Sequence, residues 1–360
     1  MITLFLPFFT AFALTYVLLP PIIRIALAKH LCDDPGERRS HQVSTPALGG
    51  VAIFGGLIFS VVLWTPFVQF GNLQYILCAF VILFFVGVKD DIEGINPYTK
   101  LLAQVFAAGI LVLQSDVWLS GLYGFFGWEA AFPYWIACGF SIFTVLVIIN
   151  GFNLIDGING LAAGVSILVS ITLGTWFFLI DHLEFATLAF ASTGATLAFL
   201  RYNVTPARIF MGDTGSLILG LVTAILSIKF IDLNAGLPLT HPLHLEGIPA
   251  VAIGILILPL FDTLRVFVTR AYRGQSPFAA DRRHIHHLLI DYGFTHMQAT
   301  GILLIVNLGF IGLVFSLHNK VDQHVLLLGI ILLAGALSYG LHRRVKQKQN
   351  IQDLRGQSGK

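Results

Sequence analysis

The sequence predicts an all-α, polytopic bundle of membrane-spanning helices, and three observations predict it. Hydrophobic residues make up 56% of the 360 residues and charged residues only 11%, where a soluble domain carries about 25% charge. Mean hydropathy is +0.83. Apolar runs recur at or near the roughly 20 residues a helix needs to cross the hydrocarbon core, and the charges gather in the short loops between them.

The first run, 2–28, has no basic leader and reaches spanning length, unlike a secretory signal. Further spans are expected at 48–67, 73–88, 100–115, 133–152, 160–180, 185–200, 214–231, 248–268, 297–316 and 323–341, eleven in all. They form one integral membrane domain, 1–342, with a basic tail at 343–360. Cys32, Cys78 and Cys138 have no metal-ligand spacing, and the latter two read as small buried side chains.

Basic residues orient the bundle. Every Lys and Arg except Lys229 and Lys320 falls in, or at the edge of, alternate loops and the C-terminal tail. By the positive-inside bias those segments are cytoplasmic, the N-terminus is periplasmic and the C-terminus is cytoplasmic. The opposite loops are short, and 116–132 is rich in aromatic residues and glycine, as expected of a hairpin at the outer interface.

Four carboxylates then share the cytoplasmic edge. They are Asp90 and Asp91 in Val88-Lys89-Asp90-Asp91, Asp156 in Asn153-Leu154-Ile155-Asp156-Gly157, and Asp213 in Met211-Gly212-Asp213-Thr214-Gly215. Acidic groups at a bilayer edge are costly unless compensated. Adjacent carboxylates also repel, so one of the Asp90–Asp91 pair titrates high unless a cation holds both, as a metal site or a general base requires. The alternative is a solvated turn with Asn96-Pro97 and Gly94 punctuation. Lys100, opening the next span, can snorkel or reach a phosphate. Asn153 and Asp156 lie three apart and face one way on a helical turn. Asp213 reads as an N-cap of the eighth span, at a helix N-terminus that also suits anions and Mg²⁺.

Arginine and histidine supply the rest. The first inner loop carries Arg38, Arg39 and His41 ahead of Pro46 and Gly49-Gly50, fit for phosphate or for ordinary positive-inside charge. The longest inner loop ends in Asp281-Arg282-Arg283-His284-Ile285-His286-His287. Zinc is one reading of three His in four positions, but no Cys or catalytic Glu accompanies them. Phosphate held by Arg, with imidazoles adding hydrogen bonds, is the other.

These motifs, in this order, resemble the polyprenyl-phosphate N-acetylhexosamine-1-phosphate transferase family, and the match covers nearly the whole chain. The His284-Ile285-His286-His287 form is similar to the branch that uses UDP-GlcNAc. The resemblance implies a bacterial inner-membrane enzyme with its site on the cytoplasmic face. It implies transfer of N-acetylglucosamine 1-phosphate from UDP-GlcNAc to undecaprenyl phosphate, giving undecaprenyl-diphospho-GlcNAc and UMP, in the first membrane step of a cell-envelope polysaccharide. Its cofactor would be Mg²⁺, with Mn²⁺ as a substitute, and its partners the two substrates and the bilayer, with no nucleic acid and with room for a homodimer. Carried over by position, Asp213 is the metal ligand and Asp90, Asp91 and Asp156 are catalytic. Lys100, Asn153, Asn159, Phe210, Arg282, His284, His286 and His287 bind substrate, Phe210 by stacking on uracil. Many family members carry Asp where this chain has Asn159, and the amide removes a charge and adds a donor. Two other classes share the same features: a transporter of a phosphorylated metabolite, and a membrane hydrolase with water as nucleophile. Another UDP-linked N-acetylhexosamine donor also fits.

Overall fold

The computed structural model describes residues 2–33, 45–65, 73–272, 274 and 284–358. Helices dominate, in the order α1 Ile2–Ala28, α2 Gly49–Trp64, α3 Leu73–Glu93, α4 Pro97–Gln114, α5 Tyr134–Ile155, α6 Leu161–Leu179, α7 Leu183–Asn203 and α8 Gly212–Gly236. Then come α9 Ile248–Ile255, α10 Ile257–Tyr272, α11 Ile285–Tyr292, α12 His296–Leu317 and α13 Gln323–Ser358. Seven of the described helices are long and apolar enough to cross a membrane, or eight with α9 and α10 taken together. The chain is therefore a multi-pass membrane protein.

Each expected span coincides with a helix except 248–268, which is broken: α9 and α10 meet at 83°. The carbonyl of Ile255, at the break, accepts a hydrogen bond from the buried Asn307 amide of α12 (3.3 Å). α13 continues without interruption from the apolar stretch into the basic residues after 342. The 116–132 segment forms the expected turn, with a bridge between Gly121 and Ala131. Cys78, expected to be buried, is exposed on α3, whereas Cys138 is buried; all three thiols are free.

α8 is the axis of the bundle. Nearly all of its residues are buried, and it packs against α5, α3, α2 and α6. In a membrane the hydrophobic effect does not drive helices together, so close backbone approach through small residues does. A Cβ on Gly50 of α2 would lie 2.1 Å from the amide nitrogen of Gly215, and one on Gly87 of α3 would lie 2.4 Å from the Cα of Thr214. Both contacts pin neighbours to the first turn of α8. A short antiparallel pair, β1 Cys32–Asp33 with β2 Thr45–Pro46, leads into α2. The chain just before α8 adds to it, as Phe210 N–H donates to the Pro46 carbonyl (2.7 Å) and Gly49 N–H to the Phe210 carbonyl (2.9 Å).

Gly50→Val should force α2 from α8 and cost at least about 1–3 kcal/mol. Gly109→Ala in α4, where nothing lies within 4 Å of the added Cβ, should be neutral or stabilise by up to about 1 kcal/mol. Thermal midpoints of the two purified variants in detergent check the contrast.

Candidate active site

The first turn of α8 collects side chains from three other segments. α8 starts at Gly212, whose φ of +72° suits glycine, and no side chain of its own segment caps it. The cap comes from α3. Asp91 accepts hydrogen bonds from Asp213 N–H (2.6 Å), Thr214 N–H (3.1 Å) and the Thr214 hydroxyl (2.5 Å). A carboxylate there satisfies otherwise orphaned donors and complements the helix dipole. The expected N-cap role of Asp213 is thus corrected. With α8 starting at Gly212 and Asp91 filling the capping position, Asp213 sits inside the first turn and turns elsewhere.

It turns to Lys100. α4 opens with Asn96 accepting Tyr98 N–H (2.9 Å) and with Pro97 at the first position, which sets Lys100 in the first turn. Its ammonium bridges Asp213 Oδ1 (2.5 Å) and Asp90 Oδ2 (2.8 Å). Asp90 also accepts Ile95 N–H (2.8 Å), closing the loop between α3 and α4. Asn153, in the last turn of α5, donates to Asp213 Oδ1 and to the Ser216 hydroxyl. Asp90, Lys100, Asn153 and Asp213 are therefore one polar knot, and Asp91 anchors it to α8.

Asp156 follows directly at the C-terminus of α5. It lines a cavity of about 110 Å³ with Gly157, Asn159, Phe210 and Gly212. Desolvation, then the negative charges of Asp213 and Asp91, push its carboxyl well above the usual range. It forms no hydrogen bond or ion pair with any described residue, in contrast to Asp90, Asp91 and Asp213. Asn159 lies in the same cavity wall, and its amide donates to the Thr205 hydroxyl (2.9 Å).

One histidine packs against the Asp156 loop that lines this cavity. α11, a helix the hydropathy pattern did not reveal, begins after His284. His284 and His286 are buried, stacked 5.6 Å apart and nearly parallel. The ring of His286 lies against Gly157, where an added Cβ would stand 2.2 Å from Nε2. Burial, then the neighbouring His287, lower its pKa to about 3, so its ring is neutral at physiological pH. The Nε2 atom is buried and has no partner among the described residues. His287 is partly exposed and 4.3 Å from the His286 ring.

Two organising residues escaped the sequence reading. Asp262 of α10, 1% exposed, takes His284 Nδ1 (2.9 Å) and Ile285 N–H (3.0 Å) while pairing with Arg265 (3.0 Å). A lone acid inside the apolar Pro259-Leu260-Phe261 run was the available signal. Asn203 accepts Gly160 N–H (2.7 Å) and donates to the Ile209 carbonyl (2.9 Å), tying the Asp156 loop to the chain before α8. Arg38, Arg39, His41 and Arg282 lie outside the described residues.

Among the described residues no three His, Cys, Asp or Glu side chains form a ready cage for a metal ion. The donors present nonetheless fit Mg²⁺, which is commonly bound through one or two carboxylates plus phosphate oxygens and water. Asp156 has no hydrogen-bond or ion-pair partner among the described residues, and both Lys100 and Asn153 engage Asp213 through Oδ1.

The family model described as "Glycosyl transferase family 4" matches residues 73–231. The chain is 30% identical over 327 residues to the undecaprenyl-phosphate alpha-N-acetylglucosaminyl 1-phosphate transferase of Escherichia coli O157:H7, covering 88% of this chain and 84% of the relative. It is 32% identical over 299 residues to the probable undecaprenyl-phosphate N-acetylglucosaminyl 1-phosphate transferase of Bacillus subtilis (strain 168), covering 83% and 80%. The corresponding Yersinia pestis transferase is 29% identical over 327 residues, 88% and 85% of the two chains.

Two stability predictions follow from these contacts. Asp156→Asn should raise the thermal midpoint in metal-free buffer at neutral pH. Because the folded-state pKa exceeds the unfolded one, the ionised wild type carries a penalty that grows as pH rises between the two values. The variant's advantage should vanish below about pH 4, where the unfolded group is also protonated. Asp262→Ala should cost about 3–5 kcal/mol, the usual penalty for stranding a buried charged partner, and should expose α11 to limited proteolysis.

Proposed function

The chain belongs to the polyprenyl-phosphate N-acetylhexosamine-1-phosphate transferases of glycosyl transferase family 4, and on that premise we propose that it transfers N-acetylglucosamine 1-phosphate from UDP-GlcNAc to undecaprenyl phosphate. The products are undecaprenyl-diphospho-GlcNAc and UMP, and the reaction starts a cell-envelope polysaccharide. The observation that carries this reading is the Lys100 bridge between Asp90 and Asp213, which with the Asn153 bond to Asp213 gathers α3, α4, α5 and α8 at one end of the bundle.

An oxygen of the lipid phosphate attacks the phosphorus that carries the sugar, and the bond from that phosphorus to the bridging oxygen of UMP breaks. Such a reaction asks for positioning and charge neutralisation more than covalent chemistry. Mg²⁺ held by Asp213 and Asp156 would neutralise the diphosphate oxygens and the leaving UMP. Lys100 presents its ammonium beside Asp213 and Asp90 and meets phosphate when the substrates enter. Asp90 shares that ammonium and so fixes its position. Asp91 keeps the α8 N-terminus rigid rather than touching substrate, since its oxygens are committed to Asp213 and Thr214. Asn153 orients Asp213. Phe210 and Asn159, in the wall beside Asp156, are suited to the nucleotide. His287, with the neutral edge of His286 and with Arg282, is suited to the donor's phosphate and sugar.

The positive-inside distribution supports a periplasmic N-terminus, a cytoplasmic C-terminus and a site on the cytoplasmic face of a bacterial inner membrane. With α2, α3 and α4 counted as crossings, and α9 and α10 as one, there are eleven. A transport path is disfavoured by α8 itself. It has no charged residue between Asp213 and Lys229, about 24 Å apart by helical rise.

Asp213→Ala should lower UMP release from UDP-GlcNAc and a short polyprenyl phosphate at least about 100-fold, the scale for a group that stabilises developing charge. Mg²⁺ should raise the thermal midpoint of the wild type but not of this variant. UMP release at an undiminished rate without lipid acceptor would instead identify a hydrolase. A panel of UDP-sugars tests the donor.

A further inference from the structure

A second cavity, of about 450 Å³, lies behind the histidines and away from the carboxylates. Leu258 and Phe261 of α10, Leu289 of α11, Leu303 of α12 and Leu337 of α13 line it. α11 is its partition. Ile285, Leu289 and Tyr292 face the cavity at the spacing of one helical face, while His284 and His286 point to Asp262 and Gly157. Leu337 is 50% exposed, so the cavity opens sideways to the surface of the bundle. Arg344, the cation in its lining, forms no ion pair with the described residues. Arg343, Lys346 and Lys348 stand on the same helix end, and Lys348 covers the Tyr292 ring at 5.2 Å.

We propose that this cavity holds an acyl chain of an anionic phospholipid whose phosphate meets Arg344. A nucleotide or sugar would leave its polar groups unpaired against these walls. Water would find few of the two to four partners it needs. Lipid is the apolar solute at hand, and basic residues at the end of a span attract anionic head groups. The reactive phosphate of the acceptor named in the proposed function must reach Lys100 and Asp213, on the far side of α11. A resident membrane lipid has no such requirement. Filling the cavity gives the apolar face of α11 the packing that keeps its histidine face in place.

The test uses the full chain in nanodiscs and reads binding without turnover, so it fails or succeeds independently of the transferase reading. Phosphatidylglycerol with a photoreactive acyl chain is crosslinked, and the labelled peptides are mapped. The label is expected in 257–261, 285–294, 302–310 or 334–344. Ala334→Trp, which fills the space from a buried position, and Leu337→Trp, which fills it from the rim, should each remove it, and the exposed position of Leu337 makes the second variant safe for folding. Arg344→Gln should weaken phosphatidylglycerol labelling about fivefold, the factor for one basic residue near an anionic surface, and leave phosphatidylcholine labelling unchanged. Labelling elsewhere only, equal labelling by the two phospholipids, or displacement of the label by a stoichiometric amount of polyprenyl phosphate would overturn the proposal.

Discussion

The grip of Asp91 on the N-terminus of α8 is the interaction on which the site depends. The first N–H groups of α8 have no partner within their own helix, and the helices packed around that turn must supply one. α8 has no capping side chain of its own, so the carboxylate must come from another helix, and α3 supplies it. That single anchorage fixes the end of α3. The end of α3 in turn sets Asp90, the loop to Asn96 and the start of α4. Lys100 can then reach Asp213 because both helices have been pinned to the same turn. Gly50 and Gly87 make the approach sterically feasible.

Around this anchor the structure tolerates unfavourable charge. Asp90 and Asp213 share one ammonium, and Asp91 is held by two backbone N–H groups and the Thr214 hydroxyl, although burial still pushes its carboxyl up to about 7. Asp156 has neither, and burial beside like charges opposes its ionisation. Such a group is stabilised by a cation or lost by substitution, the usual tension between stability and function at a site. The histidines follow the opposite logic. Asp262 holds His284 and the first N–H of α11, and His286 stays neutral against Gly157. This half of the site is held by contacts within the protein itself. α11 has one face in that assembly and the other on an apolar cavity, so packing behind the helix bears directly on the histidines in front of it.

The sequence by itself determined the membrane bundle, because spanning length and charge depletion are local properties that each segment carries alone. It also marked Asp90, Asp91, Asp156, Asp213 and the histidine run, since charge at the edge of an apolar span stands out without knowledge of neighbours. What it could not decide was partnership. Asp213 looked like the cap of its own helix, yet a residue 122 positions away took that role. Lys100 could have snorkelled, and only the approach of α4 to α8 made it a bridge. Asp262 was lost inside an apolar run until α10 turned away from α9 and met α11. The break at 83° and the short α11 were invisible to hydropathy because both are settled by what packs beside them. Contacts between distant segments decide which carboxylate caps, which pairs and which is left open, and only the tertiary structure contains them.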